Sequence, residues 1–208
     1  MNPFVFIIAV FALLGLSVGD FPTSNNSDML WYSEQSPVLE EGDLVFRRGK
    51  SIESYAVLAA DGSTRYSHVG IVHRTSEGKL MVVHAVPAED RINNRVKSES
   101  LAQFWSYDHA SAGAIYRFQI NPSQKQIIHN YLERTYQLAV SFDDAYDLFD
   151  STKLYCTELI YNAFDQCNVD ITAGHIDTLL FPRRIPIIFP STILKNTDLT
   201  QIYSYPHN

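Results

Sequence analysis

The chain has 208 residues, 46% hydrophobic and 19% charged, which is enough for one full core but short for two, and too apolar for wholesale disorder. Two cysteines exclude a disulfide scaffold and a four-thiolate zinc site. Sixteen basic against twenty-three acidic residues (net −7) argue against nucleic acid or an anionic membrane as the main partner.

Residues 4–19, FVFIIAVFALLGLSVG, form an uncharged apolar run. It is at the lower limit for spanning a bilayer. Ser17 and Gly19 sit at −3 and −1 of a cut before Asp20, the layout of a secretory signal. Residues 1–19 are therefore expected to be a signal peptide, with an uncleaved membrane anchor as the alternative. Both place the rest outside the cytoplasm, periplasmic or secreted. Residues 20–36 are polar and turn-rich and read as an N-terminal arm that Met29, Leu30, Trp31 and Tyr32 could pin to the surface. The domain is then 37–208.

Within it, 43–48 predicts a strand ended by Gly49, and Ser51 caps a helix stopped at Asp61-Gly62. Residues 68–75 and 79–86 predict two strands around a Ser76-Glu77-Gly78 turn. A further strand is expected at 95–99, a helical turn at 101–105 and a strand at 112–120. Asn121-Pro122 opens a helix. Loop 141–153 leads to the last clear helix, 155–166. The tail from Asp170 carries Pro182, Pro186 and Pro190 and is expected to be mostly irregular. The class is α+β, an antiparallel sheet or partial barrel packed against helices.

A tight hairpin centred on residue 76 would set His68 opposite His84, Gly70 opposite Val82 and Val72 opposite Leu80. Opposed Cβ atoms lie about 5 Å apart, so one imidazole could orient the other, as a general base requires. His73, an odd offset from His68, points to the other face and is left out of the site. Cys156 begins a helix, where free amides and the helix dipole are expected to lower a thiol pKa and to stabilise an oxyanion. A continuous helix separates Cys156 from Cys167 by roughly 16 Å, too far for a disulfide. Asp143, Asp144, Asp147 and Asp150 lack the pattern of a calcium loop and read as solvated, with Tyr146 and Phe149 packing the loop over the cleft. Arg183-Arg184 reads as a solvated basic pair.

The ordered set GDLVF (42–46), YSHVGIV (66–72), VVHA (82–85) and LYCTEL (154–159) resembles the circularly permuted papain-like enzymes of the NlpC/P60 superfamily, in the YiiX/YaeF-like (YebB-like) amidase and cysteine peptidase group. The resemblance covers roughly residues 40–165 and implies a permuted papain-like fold. It implies Cys156 as nucleophile, His68 as general base and His84 as the third polar residue, where many relatives carry Glu. A neutral His there can hold the His68 ring but stabilises an imidazolium less well than a carboxylate. The Asn-Cys-Glu-His-Phe signature of lecithin–retinol-type acyltransferases is absent. Tyr155 and Ser67, beside these residues in sequence, are expected to contact substrate.

The expected activity is a thiol hydrolase cleaving an amide or isopeptide bond, with cell-envelope peptides or lipid-linked amides as substrates. No cofactor or metal is expected, and no nucleic-acid partner. The alternatives are a non-catalytic binding module on the same fold, or a zinc hydrolase using His68, His84 and Cys156.

Overall fold

The computed structural model describes residues 39–87, 94–180 and 184–205. The apolar run at 4–19, the arm at 20–36, Pro182 and Arg183 lie outside the described residues. The chain-order elements are β1 (Leu44–Gly49), α1 (Ile52–Asp61), β2 (His68–Arg74), β3 (Leu80–Val86), β4 (Arg95–Glu99), α2 (Leu101–Phe104), β5 (Ala110–Phe118) and α3 (Pro122–Gln137). They continue with β6 (Ser141–Phe142), β7 (Lys153–Leu154), α4 (Cys156–Asp165), β8 (Asp177–Leu179), β9 (Ile185–Ile187), α5 (Pro190–Leu194) and β10 (Leu199–Tyr205). The class is α+β, as expected.

Eight strands form one sheet in the order β10-β5-β1-β2-β3-β4-β6-β7, antiparallel except for β6 with β7. Alternation along the strands divides the core into two layers. Leu44, Phe46, Val69, Ile71, Val83 and Ala85 face one side, packed with Ile128 and Leu132 of α3 and with Leu159, Ile160, Ala163 and Phe164 of α4. Val45, Val72, Val82 and Ile115 face the other, under Leu101 and Phe104 of α2 and under Trp105.

The tail departs from expectation. Instead of irregular chain, it supplies the β8–β9 hairpin, helix α5 and an edge strand, β10, paired along β5. Proline does not forbid this. Pro190 opens α5, where its missing N–H costs nothing, and Pro186 lies in a three-residue strand that pairs only with β8.

The β2–β3 register also differs. Val72 faces Val82, His73 faces Met81 and Arg74 faces Leu80, two residues away from the expected pairing. A three-residue loop replaces the tight turn. Gly78 N–H donates to the Thr75 carbonyl, Thr75 N–H donates to the Lys79 carbonyl, and Gly78 takes a φ of +82° that disfavours any other residue. A shift of two preserves the faces, so His68 and His84 still share a side.

The start of β1 is anchored by charge. The Asp43 carboxylate is buried, accepts two hydrogen bonds from Arg117 of β5 (2.7 and 2.8 Å) and takes the Glu40 N–H at 2.8 Å. The GDLVF motif thus has a structural reason for its aspartate. Loop 143–150 is also less solvated than expected, because Asp143 is buried and accepts the amides of Ala145 and Asp147 at 2.9 and 2.5 Å.

Arg117→Met leaves Asp43 buried without its cation. It should cost about 3 kcal/mol in urea unfolding at pH 7, and adding Asp43→Asn should recover part of that loss.

Candidate functional site

His68 opens β2 and His84 lies near the end of β3, on the face covered by α2. In the observed register the residue across from His84 is Gly70, and His68 is its diagonal neighbour. Reach across the diagonal depends on that glycine, because a Cβ there would stand 2.5 Å from Val82 Cγ1 and 3.1 Å from His84 Cβ. His68 Nε2 and His84 Nδ1 are 2.9 Å apart, with the rings edge-on at 82°. Phe104 stacks on His68 and meets His84 by its edge, closing both rings from water.

Beyond His84 stands a carboxylate that the sequence reading missed. Glu99, at the end of β4, places Oε1 3.1 Å from His84 Nε2, off the N–H axis, so the contact is more electrostatic than a well-formed hydrogen bond. Burial pushes the Glu99 carboxyl up, but His84 and the charge of Arg47 outweigh it and hold the group below the usual carboxylate range. Glu99 is therefore ionised at neutral pH.

This order fixes the protons. The His84 nitrogen facing a carboxylate carries hydrogen, so His84 Nδ1 is an acceptor. His68 Nε2 must then donate to it. The lone pair of a neutral His68 is left on Nδ1, which becomes the basic atom. Burial, then Arg47 and His84, hold the His68 pKa well below its ordinary value. Burial also lowers that of His84, with Glu99 pulling it partly back. Both imidazoles are neutral in the resting protein.

Arg47 is the second missed residue. It lies opposite His68 on β1, buried, with its guanidinium 4.5 Å over the Phe104 ring and NH1 donating to the Phe104 carbonyl at 2.9 Å. Burial pulls its pKa down to about 10, so it remains a cation at neutral pH. The same NH1 is 3.8 Å from Glu99 Oε1. The β4 and β1 sequences offer no local signal for either residue, since only cross-strand register brings them to the histidines.

Cys156 is the first residue of α4, at the end of the sheet where β2 begins. Its own N–H and those of Thr157 and Val69, the residue after His68, favour the thiolate, as does the charge of Arg47. Burial wins, however. The residue is 8% exposed and its thiol is pushed up to about 11, contrary to the lowered pKa expected for a helix start. The helix-end amides act as foreseen, but they are outweighed by desolvation. Cys167 is free as well, and the two cysteines are unbridged.

Beside Cys156 runs a narrow apolar crevice walled by Val57, Ala60, Tyr146, Leu179, Ile187 and Phe189. Tyr155 also lines it, with its hydroxyl occupied in accepting the Ile188 N–H at 3.1 Å. Ser67 is buried, and its hydroxyl accepts the Gly49 N–H at 2.9 Å, tying β1 to the start of β2. Tyr146 packs at the cleft as expected, whereas Phe149 is 82% exposed and does not. Among the described residues, the set with metal-ligating atoms close together is Glu41, His73 and His129, not His68, His84 and Cys156.

The family of permuted papain-like amidases (YaeF/YiiX, C92) matches residues 38–180. The chain belongs to this family. As a permuted papain-like amidase it is a cysteine amidase or peptidase-type hydrolase. It is also similar to the crystal structure of the metalloprotein yiiX from Escherichia coli O157:H7, at 19% identity and a TM-score of 0.65, over 79% of this chain and 96% of that one. That likeness bears on the fold. No curated protein matches the chain significantly.

Two measurements follow for this amidase. In a Cys167→Ala background, alkylation of Cys156 by iodoacetamide should rise about tenfold per pH unit from 7 to 10, as thiolate grows toward a pKa of about 11. A plateau below pH 8 would instead reveal a preformed thiolate–imidazolium pair. Separately, Glu158 in the first turn of α4 is buried, and burial pushes its carboxyl up to about 8. The folded state then holds a proton that the unfolded state releases near pH 4.5, so stability should fall as pH rises from 5 to 8. Glu158→Gln should flatten that slope in pH-dependent urea denaturation.

Proposed function

We propose that this amidase is an exported thiol hydrolase in which Cys156 is the nucleophile, His68 the general base and His84 the positioning residue, with Glu99 completing the line. The observation that carries the reading is the hydrogen bond between the two buried imidazoles, which leaves His68 Nδ1 as the free basic nitrogen. The Val69 amide beside the Cys156 sulfur brings nucleophile and base to the same strand end.

The mechanism starts from a neutral pair, a thiol and an imidazole. Sulfur attacks the carbonyl carbon as its proton passes to His68 Nδ1, and the Cys156 N–H receives the developing oxyanion. The new imidazolium is shared along the line. His68 Nε2–H donates more strongly to His84, and Glu99 opposes the charge from the far end. His84 alone would support an imidazolium weakly, and Glu99 supplies the carboxylate one residue further out. The proton then passes from His68 to the departing amine. Water, deprotonated by His68, cleaves the thioester and regenerates the thiol.

The crevice beside Cys156 is apolar but narrow, so it favours a small aliphatic acyl group on the nucleophile's flank over a polar peptide. The uncharged run at 4–19 supports export. A set of p-nitroanilides with acyl groups from acetyl to octanoyl tests the acyl preference. Turnover should be highest with the short acyl groups and fall toward octanoyl. Cys156→Ala and His68→Ala should each lose at least about 10³-fold in kcat, and Glu99→Gln about tenfold, with a shifted pH profile. Full activity in Cys156→Ala would overturn the assignment.

A further inference from the structure

The other end of β2 carries a second histidine cluster, on the opposite face of the sheet. His73 is five residues from His68, roughly 16 Å along the strand. It lies under α3, where His129 and Glu133 stand one helical turn apart on one side of the helix. Glu41, in the turn before β1, completes the group. One ligating atom each from Glu41, His73 and His129 fall within 4.8 Å of one another. The two imidazoles lie tilted against each other, with ring centroids 4.7 Å apart at 36°.

We propose that Glu41, His73 and His129 form a site for a divalent transition-metal ion of the Zn²⁺ type, with His73 ligating through Nδ1 while Glu133 holds its Nε2 from the other side of the ring. Two ion-pair contacts account for part of the cluster. His73 Nε2 is 3.0 Å from Glu133 Oε2, and His129 Nδ1 is 2.7 Å from Glu41 Oε1. They leave His73 Nδ1 buried with no partner, on a side chain only 4% exposed. An orphaned buried nitrogen is a standing cost, and a Lewis acid shared with the neighbouring donors removes it.

The donor set fits such an ion. Two imidazoles and one carboxylate, with a position left for water, suit zinc, whereas calcium and magnesium prefer all-oxygen shells. Glu41 is already held in place, since the Oε1 that meets His129 also accepts the Arg74 N–H at 3.3 Å. The ion would bind three separate pieces of chain together: the turn before β1, the end of β2 and helix α3. The site is independent of Cys156.

The test titrates the full chain with Zn²⁺ against a fluorescent chelator, in a Cys156→Ala background, and follows Tm. The expected result is one zinc per chain with a raised Tm, and no response to Mg²⁺. His129→Ala and Glu41→Gln, both at half-exposed positions, should weaken binding by at least about a hundredfold while the apo proteins keep their circular dichroism. His73→Asn, which is more disruptive, is read only for stoichiometry. Three results overturn the proposal: no zinc bound, equal binding by His129→Ala and Glu41→Gln, or binding by the parent chain that Cys156→Ala abolishes.

Discussion

A hydrogen bond between two neutral, buried imidazoles is the constraint that organises this molecule. An imidazole pair transmits orientation only if each ring has a defined tautomer, and a pair alone is symmetric. Glu99 breaks the symmetry by attracting a proton to the outer nitrogen of His84, and the remaining assignments follow from valence. Phe104 keeps water from competing for the same ring atoms. Burial holds His68 neutral and the His84 contact holds Glu99 ionised, and Arg47, close to both, adds to each effect.

Burial and charge work against each other at the thiol. The sulfur has helix-end amides, a strand amide and a nearby guanidinium on its side, yet desolvation outweighs them. Under the proposed mechanism, such a site would store a neutral pair and separate charge only when a carbonyl arrives, which would spare a buried thiolate from oxidation at rest. The apolar wall that raises the thiol pKa is also the surface an acyl chain would occupy, so the entering substrate would complete a dry compartment around the reacting atoms.

Much of this was readable from residue order. Strand periodicity placed β1 to β5 closely, Asn121-Pro122 marked the start of α3, and the odd offset of His73 placed it on the opposite face. Cys156 was legible as a helix start. The register of the β2–β3 hairpin was not, because Ser76-Glu77-Gly78 does not by itself decide whether the turn is centred on residue 76 or 77. Glu99 and Arg47 were hidden for a different reason. Their roles come from strands that meet across the sheet, and nothing within β4 or β1 distinguishes them from ordinary surface charges. The thiol pKa was misjudged because a helix terminus is a local feature, whereas desolvation depends on what the rest of the chain stacks above it. The tail was misread because prolines argue against central strands, not against an edge strand made beyond them.

That edge strand has a consequence for biogenesis. Trp105 lies between Tyr203 and Tyr205, with ring centroids 5.9 and 4.9 Å away, and β5 finds its outer backbone partner only in β10. Until those late residues emerge, a long row of unpaired amides and a bare indole are presented to any neighbouring nascent polypeptide. A holdase that shields this open seam during synthesis would spare the half-made protein from sticking to its siblings.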